Sequence, residues 1–152
     1  MTYDELLIEA DSNGLIVKEA PLQSSDGRIK GCKIAIRKNI PTLRQKADVL
    51  AEELGHYYTT VGRIVEQDSI SEQKQERIAR LWAYNKQIGL SGIVKGYKAR
   101  CRNRHELAEY LEVSEEFLKE ALECYHEKYG PYVNFGGYTI MFDPVLTVIE
   151  KF

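Results

Sequence analysis

Residues 51–58 have the sequence Ala-Glu-Glu-Leu-Gly-His-Tyr-Tyr and lie in a long helical pattern. Pro41 precedes this pattern, and Thr42 and Gln45 have the spacing of a helix-capping box. Apolar residues then recur at intervals of three and four, which is the period of an amphipathic helix: Leu43, Ala47, Leu50, Leu54 and Tyr58. The sequence therefore predicts a long helix from residue 42 to about residue 59.

Glu52 and His56 lie one turn apart on this helix, so their side chains point in the same direction and can reach one ion. Glu53 lies about 100° round the helix, beside them. A simpler interpretation is that the two glutamates belong to a solvated helix face and that His56 is a hydrogen-bonded structural histidine. The spacing alone leaves both interpretations open.

A second helix is predicted to begin at Ser71 and to end before Gly89. Glu76 lies on its inward face, three residues before Ala79 and seven before Ala83. A carboxylate on a buried face needs a partner, which is either an arginine or an ion shared with the preceding helix. The small alanines favour a close approach of the two helices. Three carboxylates in one partly desolvated pocket also predict a raised pKa for at least one of them.

Most of the chain resembles the ImmA/IrrE family of metallo-endopeptidases. Residues 51–56, Ala-Glu-Glu-Leu-Gly-His, resemble the His-Glu-Leu-Gly-His active-site helix of that family. Residues 76–83, Glu-x-x-Ala-Arg-x-Trp-Ala, resemble its Glu-x-x-Ala-Asn-x-Phe-Ala segment. Residues 103–130 and 138–144 resemble the helical and strand tail of its short phage-borne members.

In the family's pattern two histidines and the later glutamate hold zinc, and the glutamate after the first histidine is the general base. The resemblance therefore implies that His56 and Glu76 are metal ligands and that Glu53 is the base. Position 52 is glutamate where the pattern has histidine, so the H-E-x-x-H signature is incomplete. Glu52 is a candidate third ligand, because carboxylates also bind Zn²⁺. Two carboxylates and one imidazole form a harder donor set, which also suits Mn²⁺ or another divalent ion.

The first forty residues predict a short helix followed by a small sheet. Thr2 and Glu5 have capping-box spacing, and Asn13-Gly14 ends the helix. Residues 15–17 and 32–36 have strand composition, with a turn-forming segment between them. These two stretches suggest a small antiparallel sheet.

The second half predicts helices and then strands. The helices are expected near residues 91–99, 103–111 and 114–128, and the strands at 138–142 and 146–149. A loop is expected from Gly62 to Ser71. Nothing divides the chain, so residues 1–152 are expected to form one α+β domain. Its sheet and metal-site helices would lie in residues 1–90, and its helical region and terminal strands in residues 91–152; by the resemblance the fold is zincin-like.

Residues 105–118 have the pattern of a helix-turn-helix, a motif of many DNA-binding proteins. Its second helix has five glutamates against two lysines, a charge pattern that repels a polyanion: Glu115, Glu116, Glu120, Glu123 and Glu127. Just upstream, the segment from Lys95 to Arg104 is basic, and it is interpreted as a solvated helix face, with partner binding as the alternative. We therefore interpret the motif as scaffold, or as a surface that docks a protein substrate, and expect no specific nucleic-acid binding.

The composition is typical of a globular protein, with 43% hydrophobic residues, 29% charged residues and a net charge of −2. No apolar run approaches the ~20 residues of a membrane span. The acidic N-terminus differs from a secretory signal, so a cytoplasmic location without membrane attachment is expected. The three cysteines, Cys32, Cys101 and Cys124, are expected to be buried small hydrophobic residues.

The resemblance, together with the spacing of Glu52, Glu53, His56 and Glu76, implies a metal-dependent endopeptidase with zinc as its expected ion. By the resemblance, its substrate would be a helix-turn-helix transcriptional repressor of a phage or mobile element. One alternative is a catalytically inactive relative that binds such a repressor and acts as an antirepressor. The third possibility is a DNA-binding regulator.

Overall fold

A computed structural model describes residues 1–61 and 71–151. The described residues belong to the expected α+β class, with six helices and six strands. They make two compact units, Met1–Ala83 and Tyr84–Phe152, and the division falls within one helix. The loop expected from Gly62 lies outside the described residues, except for its last residue. Within the described part, no helix is both long enough and apolar enough to cross a membrane.

The first unit starts with one helix and three strands and continues into two long helices. In chain order these are α1 (Tyr3–Ser12), β1 (Ile16–Ala20), β2 (Gly27–Lys30), β3 (Lys33–Arg37), α2 (Leu43–Val61) and α3 (Glu72–Gln87). The helices α1 and α3 begin where the predicted capping residues lie. Thr2 and Glu5 form the full capping box. The Ser71 hydroxyl accepts a hydrogen bond from the Lys74 N–H.

The start of α2 is capped by Thr42, although the capping box is incomplete. The Thr42 hydroxyl oxygen accepts a hydrogen bond from the Gln45 N–H at 3.1 Å. The Gln45 side chain accepts from that hydroxyl at 3.0 Å, instead of from the Thr42 backbone. The predicted helix start is therefore confirmed, because one orphan N–H of the first turn has its acceptor.

The sheet of this unit is mixed, with the order β1-β3-β2. The expected antiparallel pairing of the first two strand segments is wrong, because Val17 pairs with Ile34 in a parallel ladder. The strand β2 was not predicted, and it forms the antiparallel hairpin with β3 instead. Only two residues join β2 to β3, and Gly31 has a φ of +61°, which suits such a tight turn. Since β2 occupies one edge of β3, β1 joins the other.

Helix α2 packs its apolar face against α1, β2 and β3. Leu50, Ala51 and Leu54 are buried on this face, opposite Ile34 and Ile36 of the sheet. Burial of these side chains holds the helix in place, since each large aliphatic side chain contributes roughly 1.5–3 kcal/mol. Two acidic residues of α2 lie on or beside this packed face: Asp48 is buried, and Glu53 lies next to Gly27 of β2.

The second unit begins with the last residues of α3 and continues through three helices and a three-stranded sheet. These elements are α4 (Gly89–Lys98), α5 (Arg104–Leu111), α6 (Glu115–Tyr129), β4 (Tyr132–Phe135), β5 (Tyr138–Met141) and β6 (Thr147–Glu150). The sheet is antiparallel in the order β4-β5-β6. The helices and the last two strands confirm the sequence prediction, whereas β4 was missed.

The helix-turn-helix pattern corresponds to α5 and α6, which pack against each other. Its predicted core is buried: Leu107, Ala108, Leu111, Val113 and Leu118. Asn103 caps α5 and Ser114 caps α6, each by accepting an N–H three residues ahead. One expectation about the cysteines is wrong, because Cys32 is exposed in the tight turn before β3. Cys101 and Cys124 are half-buried.

Candidate metal centre

Helices α2 and α3 approach each other closely where the predicted site residues lie. A methyl group on Gly55 would collide with the backbone carbonyl oxygen of Ala79, so this crossing needs glycine. One turn further along, the rings of Tyr58 and Trp82 stack with their centroids 5.2 Å apart. The predicted close approach of the two helices is therefore confirmed, and it brings their polar residues together.

His56 and Glu76 meet across this helix pair. The His56 Nε2 atom lies 3.0 Å from the Glu76 Oε2 atom, which is hydrogen-bonding distance. The side chain of His56 is 27% exposed and that of Glu76 is 41% exposed, so solvent reaches both. Two of the three predicted metal ligands are thus adjacent, although they come from different helices.

Glu76 has a second partner in Arg80, one turn later on α3. The Arg80 Nε atom lies 3.2 Å from the Glu76 Oε1 atom. The sequence left open whether Glu76 is paired with an arginine or shares an ion with α2, and the structure gives this carboxylate an arginine and a histidine. Sequence reasoning missed Arg80, although a glutamate and an arginine four residues apart on a helix are a recognisable pair.

Glu53 lies against strand β2 of the sheet. A methyl group on Gly27 would be 2.7 Å from the Glu53 Oε1 atom and 2.7 Å from the Val49 Cγ1 atom. Burial, together with the negative charges of Glu52 and Glu76, raises the pKa of Glu53 to about 7. The raised carboxyl pKa expected for this cluster thus falls on Glu53. A carboxyl group with a pKa near 7 takes up and releases protons at neutral pH.

Sequence reasoning missed Gly27, because this residue was assigned to a turn, whereas it is the first residue of the unpredicted strand β2. The signal was weak: Gly-Arg-Ile-Lys contains one apolar residue and begins with a turn former. Only the pairing of β2 with β3 places this glycine under the Glu53 carboxylate.

Glu52 is half-buried on α2. Among residues 1–61 and 71–151, no three His, Cys, Asp or Glu side chains are arranged to hold one metal ion. The structure therefore brings His56 and Glu76 together, with Glu53 close enough for its pKa to respond to Glu76. The complete ligand set of Glu52, His56 and Glu76 stays a prediction.

The chemistry of the His56 and Glu76 pair fits a divalent ion. Imidazole nitrogen and carboxylate oxygen bind Zn²⁺ at about 2.0–2.2 Å, which places two ligands of a tetrahedral ion ~3.3 Å apart. The observed separation of 3.0 Å is close to that value. Glu76 also lines an open groove of about 500 Å³ along α3, through which solvent reaches the carboxylate. An ion at this position would replace the His56 contact and compete with Arg80 for Glu76.

No protein-family model matches this chain, and no curated protein matches it. The resemblance to the ImmA/IrrE family therefore depends on the residues of α2, α3 and the tail themselves.

Proposed function

We propose that this chain is a metal-dependent endopeptidase of the ImmA/IrrE type, with its centre between α2 and α3. The observation that carries the proposal is the approach of His56 Nε2 to Glu76 Oε2 at 3.0 Å. These residues occupy two of the three ligand positions in the family's pattern, and Glu53 occupies the position of its base. A zincin-like fold is part of the same proposal, supported by the packing of α2 on a small sheet in this unit.

In this proposal His56 and Glu76 would hold the ion, Zn²⁺ or Mn²⁺, and Glu52 would be the third ligand. When bound, such an ion would supply the Lewis acidity that makes water a nucleophile near neutral pH. Glu53 accepts a proton from the attacking water on a carboxylate oxygen. It then delivers that proton to the leaving amine as the peptide C–N bond breaks. Gly27 leaves the space in which this carboxylate lies.

The substrate that the resemblance implies is a helix-turn-helix repressor of a phage or mobile element. Cleavage of such a repressor would release the genes that it controls. The second candidate function is that of an inactive relative that binds the repressor without cutting it. The ion pair between Arg80 and Glu76 favours this alternative, because the guanidinium already neutralises one proposed ligand. The glutamate at position 52 favours it as well.

The first experiment measures metal binding by titration of the chelator-treated protein with Zn²⁺ and Mn²⁺ against a chromophoric competitor. We expect about one ion per chain, with binding lost in His56→Ala and in Glu76→Gln. The matched control is Glu72→Gln, which removes an exposed carboxylate one turn earlier on α3. If neither ion binds at tens of micromolar, the metal centre is wrong.

The second experiment separates the enzyme from the inactive binder. The protein is co-expressed with a candidate repressor, and the repressor is followed on a blot while its promoter drives a reporter. We expect repressor fragments with the wild type and none with Glu53→Gln, which keeps the metal. Gln is nearly isosteric with Glu but accepts no proton from water, and loss of a general base costs on the order of 10² to 10⁴ in rate. Equal derepression by both proteins, without fragments, would support the binder.

A further inference from the structure

A pocket of about 390 Å³ lies in the second unit, between the helices α4 and α5 and the segment that leads into β6. Its lining includes the apolar side chains of Ile93, Leu107 and Val148. Two further lining residues, Tyr97 and Val145, are 42% and 63% exposed. An apolar recess with exposed apolar residues around it is typical of a binding surface.

The same pocket is bordered by the basic segment, residues 95–104. This segment has five cations, and all of them are exposed: Lys95, Lys98, Arg100, Arg102 and Arg104. No acidic residue lies between Gly89 and His105, although the whole chain has a net charge of −2. Arg102 and Arg104 line the pocket, and Arg102 pairs with Glu106 at 3.4 Å. The positive charge is therefore concentrated beside the apolar recess.

We propose that this pocket binds a peptide segment of a partner protein that presents an apolar side chain next to a carboxylate. The apolar lining takes the side chain out of water, and the guanidinium groups receive the carboxylate. The volume lies near the lower end of the roughly 300–1,000 Å³ range of ligand pockets, which suits one or two side chains. β6 is an edge strand of its sheet, and such strands accept extended peptides through backbone hydrogen bonds.

Nucleic acid fits this surface less well than an acidic peptide. Tyr97 is the one aromatic side chain in the lining, and the other apolar side chains are aliphatic, whereas single strands bind through platforms of several aromatic rings. α6 packs on α5 and exposes Glu115, Glu116 and Glu123, which would repel an extended polyanion more than a single carboxylate. The proposal does not depend on the metal centre, because every lining residue lies between Ile93 and Val148.

The test is a selection of random dodecapeptides displayed on phage against the immobilised full-length chain. Enriched peptides are synthesised with a fluorescein label, and their binding is measured by fluorescence polarisation. We expect enrichment of Leu, Ile, Met or Phe beside Asp or Glu. Arg104→Glu should weaken binding about tenfold, which corresponds to ~1.4 kcal/mol. This variant should fold, because an acid is favourable in the first turn of a helix.

The matched control is Lys119→Glu, the same change of charge on an exposed residue of α6 outside the lining, and it should change affinity less than about twofold. Cys101 lines the pocket and provides a second measurement. In a Cys32→Ser, Cys124→Ala background, saturating peptide should slow the alkylation of Cys101 by N-ethylmaleimide. Several outcomes overturn the proposal: no enrichment, enriched peptides without acids, equal affinity for Arg104→Glu, or unchanged alkylation. Binding of a labelled single-stranded DNA 20-mer in place of peptide would overturn it in favour of nucleic acid.

Discussion

At the scale of single residues, two glycines control the surroundings of Glu53 and His56. Gly55 lets α2 and α3 touch, and a side chain there would meet the rigid backbone of Ala79. Gly27 gives the Glu53 carboxylate its space, and a side chain there would meet the flexible ends of Glu53 and Val49. Substitution should therefore damage the helix packing at Gly55 and displace the proposed base at Gly27.

Gly27→Ala is expected to lower the rate of repressor cleavage strongly, with a smaller loss in the free energy of unfolding. The added methyl group would lie 2.7 Å from Glu53 Oε1, so the carboxylate must move, at a cost of about 1–3 kcal/mol in unfolding free energy. Metal affinity should be unchanged, since the atoms nearest this methyl group belong to Glu53 and Val49 and not to a proposed ligand. Urea denaturation, zinc titration and repressor cleavage measure the three effects.

The matched control is Gly137→Ala, because nothing lies within 4 Å of a methyl group at that position. It should leave all three quantities close to those of the wild type. Full cleavage activity in Gly27→Ala would contradict the role given to the space beside Glu53.

The raised pKa of Glu53 predicts how the stability of the chelator-treated protein depends on pH. The pKa of Glu53 is about 7 in the folded protein, against 4.5 for an ordinary glutamate side chain, so folding favours the protonated form. The contribution of Glu53 to stability is then greatest below about pH 4.5 and is lost as the pH rises through 7. Because the carboxyl is partly exposed, we expect a loss of only about 1 kcal/mol.

Glu53→Gln should remove this pH dependence and should be more stable than the wild type at pH 8, with little difference at pH 5. Urea unfolding in the presence of a chelator at both pH values measures the effect. Glu123→Gln, an exposed change on α6, is the control. A wild-type protein that is more stable at pH 8 than Glu53→Gln would show that Glu53 is not disfavoured in its charged form.

At the scale of elements, the site depends on the register of α2 against α3. Three contacts follow one another along the pair: Gly55 on Ala79, His56 with Glu76, and Tyr58 on Trp82. A shift of one helix by one residue would rotate its side chains by about 100° and separate all of them. The aromatic stack and the glycine contact therefore position the histidine and the glutamate.

Glu52→His tests whether α2 provides two ligands or one. The change places two imidazoles one turn apart on the same face, so it should tighten Zn²⁺ binding at least tenfold if residue 52 is a ligand. A competitive zinc titration measures the affinity. Arg44→His adds an imidazole to an exposed position of the same helix and should have no effect. Equal zinc affinity in the wild type and Glu52→His would remove position 52 from the ligand set.

At the scale of the whole molecule, charge is distributed unevenly along a chain of net charge −2. The basic segment, residues 95–104, ends at the first residue of α5, and the acidic helix α6 follows α5. The second helix of a helix-turn-helix would have to enter a major groove, and here that helix has five glutamates. A helix, a short turn and a second helix packed on the first are thus present, and the second helix has an acidic charge pattern that is unfavourable for DNA.

We therefore expect weak and non-specific DNA binding at ~0.15 M salt. DNA duplexes are first selected for binding to the protein and labelled. Fluorescence anisotropy then measures their affinity. A variant with Glu116→Lys and Glu123→Lys should bind duplex DNA more tightly than the wild type. This gain in affinity should decrease as the salt concentration rises. Tight and sequence-specific binding of the wild type would instead support the DNA-binding regulator.

The sequence by itself determined the helices, their caps and the faces that they bury. Thr42, Ser71, Asn103 and Ser114 each cap a helix through a hydrogen bond to a residue three positions ahead. Such contacts are local, so spacing along the chain is enough to predict them. The α+β class and the polar face of α2 with Glu52 and His56 follow from the same periodicities.

Only the tertiary structure decided which of these faces meet and what lies between them. The parallel pairing of β1 with β3, the strand β2 under Glu53, and the 3.0 Å approach of His56 to Glu76 all join residues distant in sequence. Periodicity shows which side of an element is buried but not which element covers it. That choice depends on the packing of several elements at once, because a helix or strand face is equally apolar toward any partner that fits it.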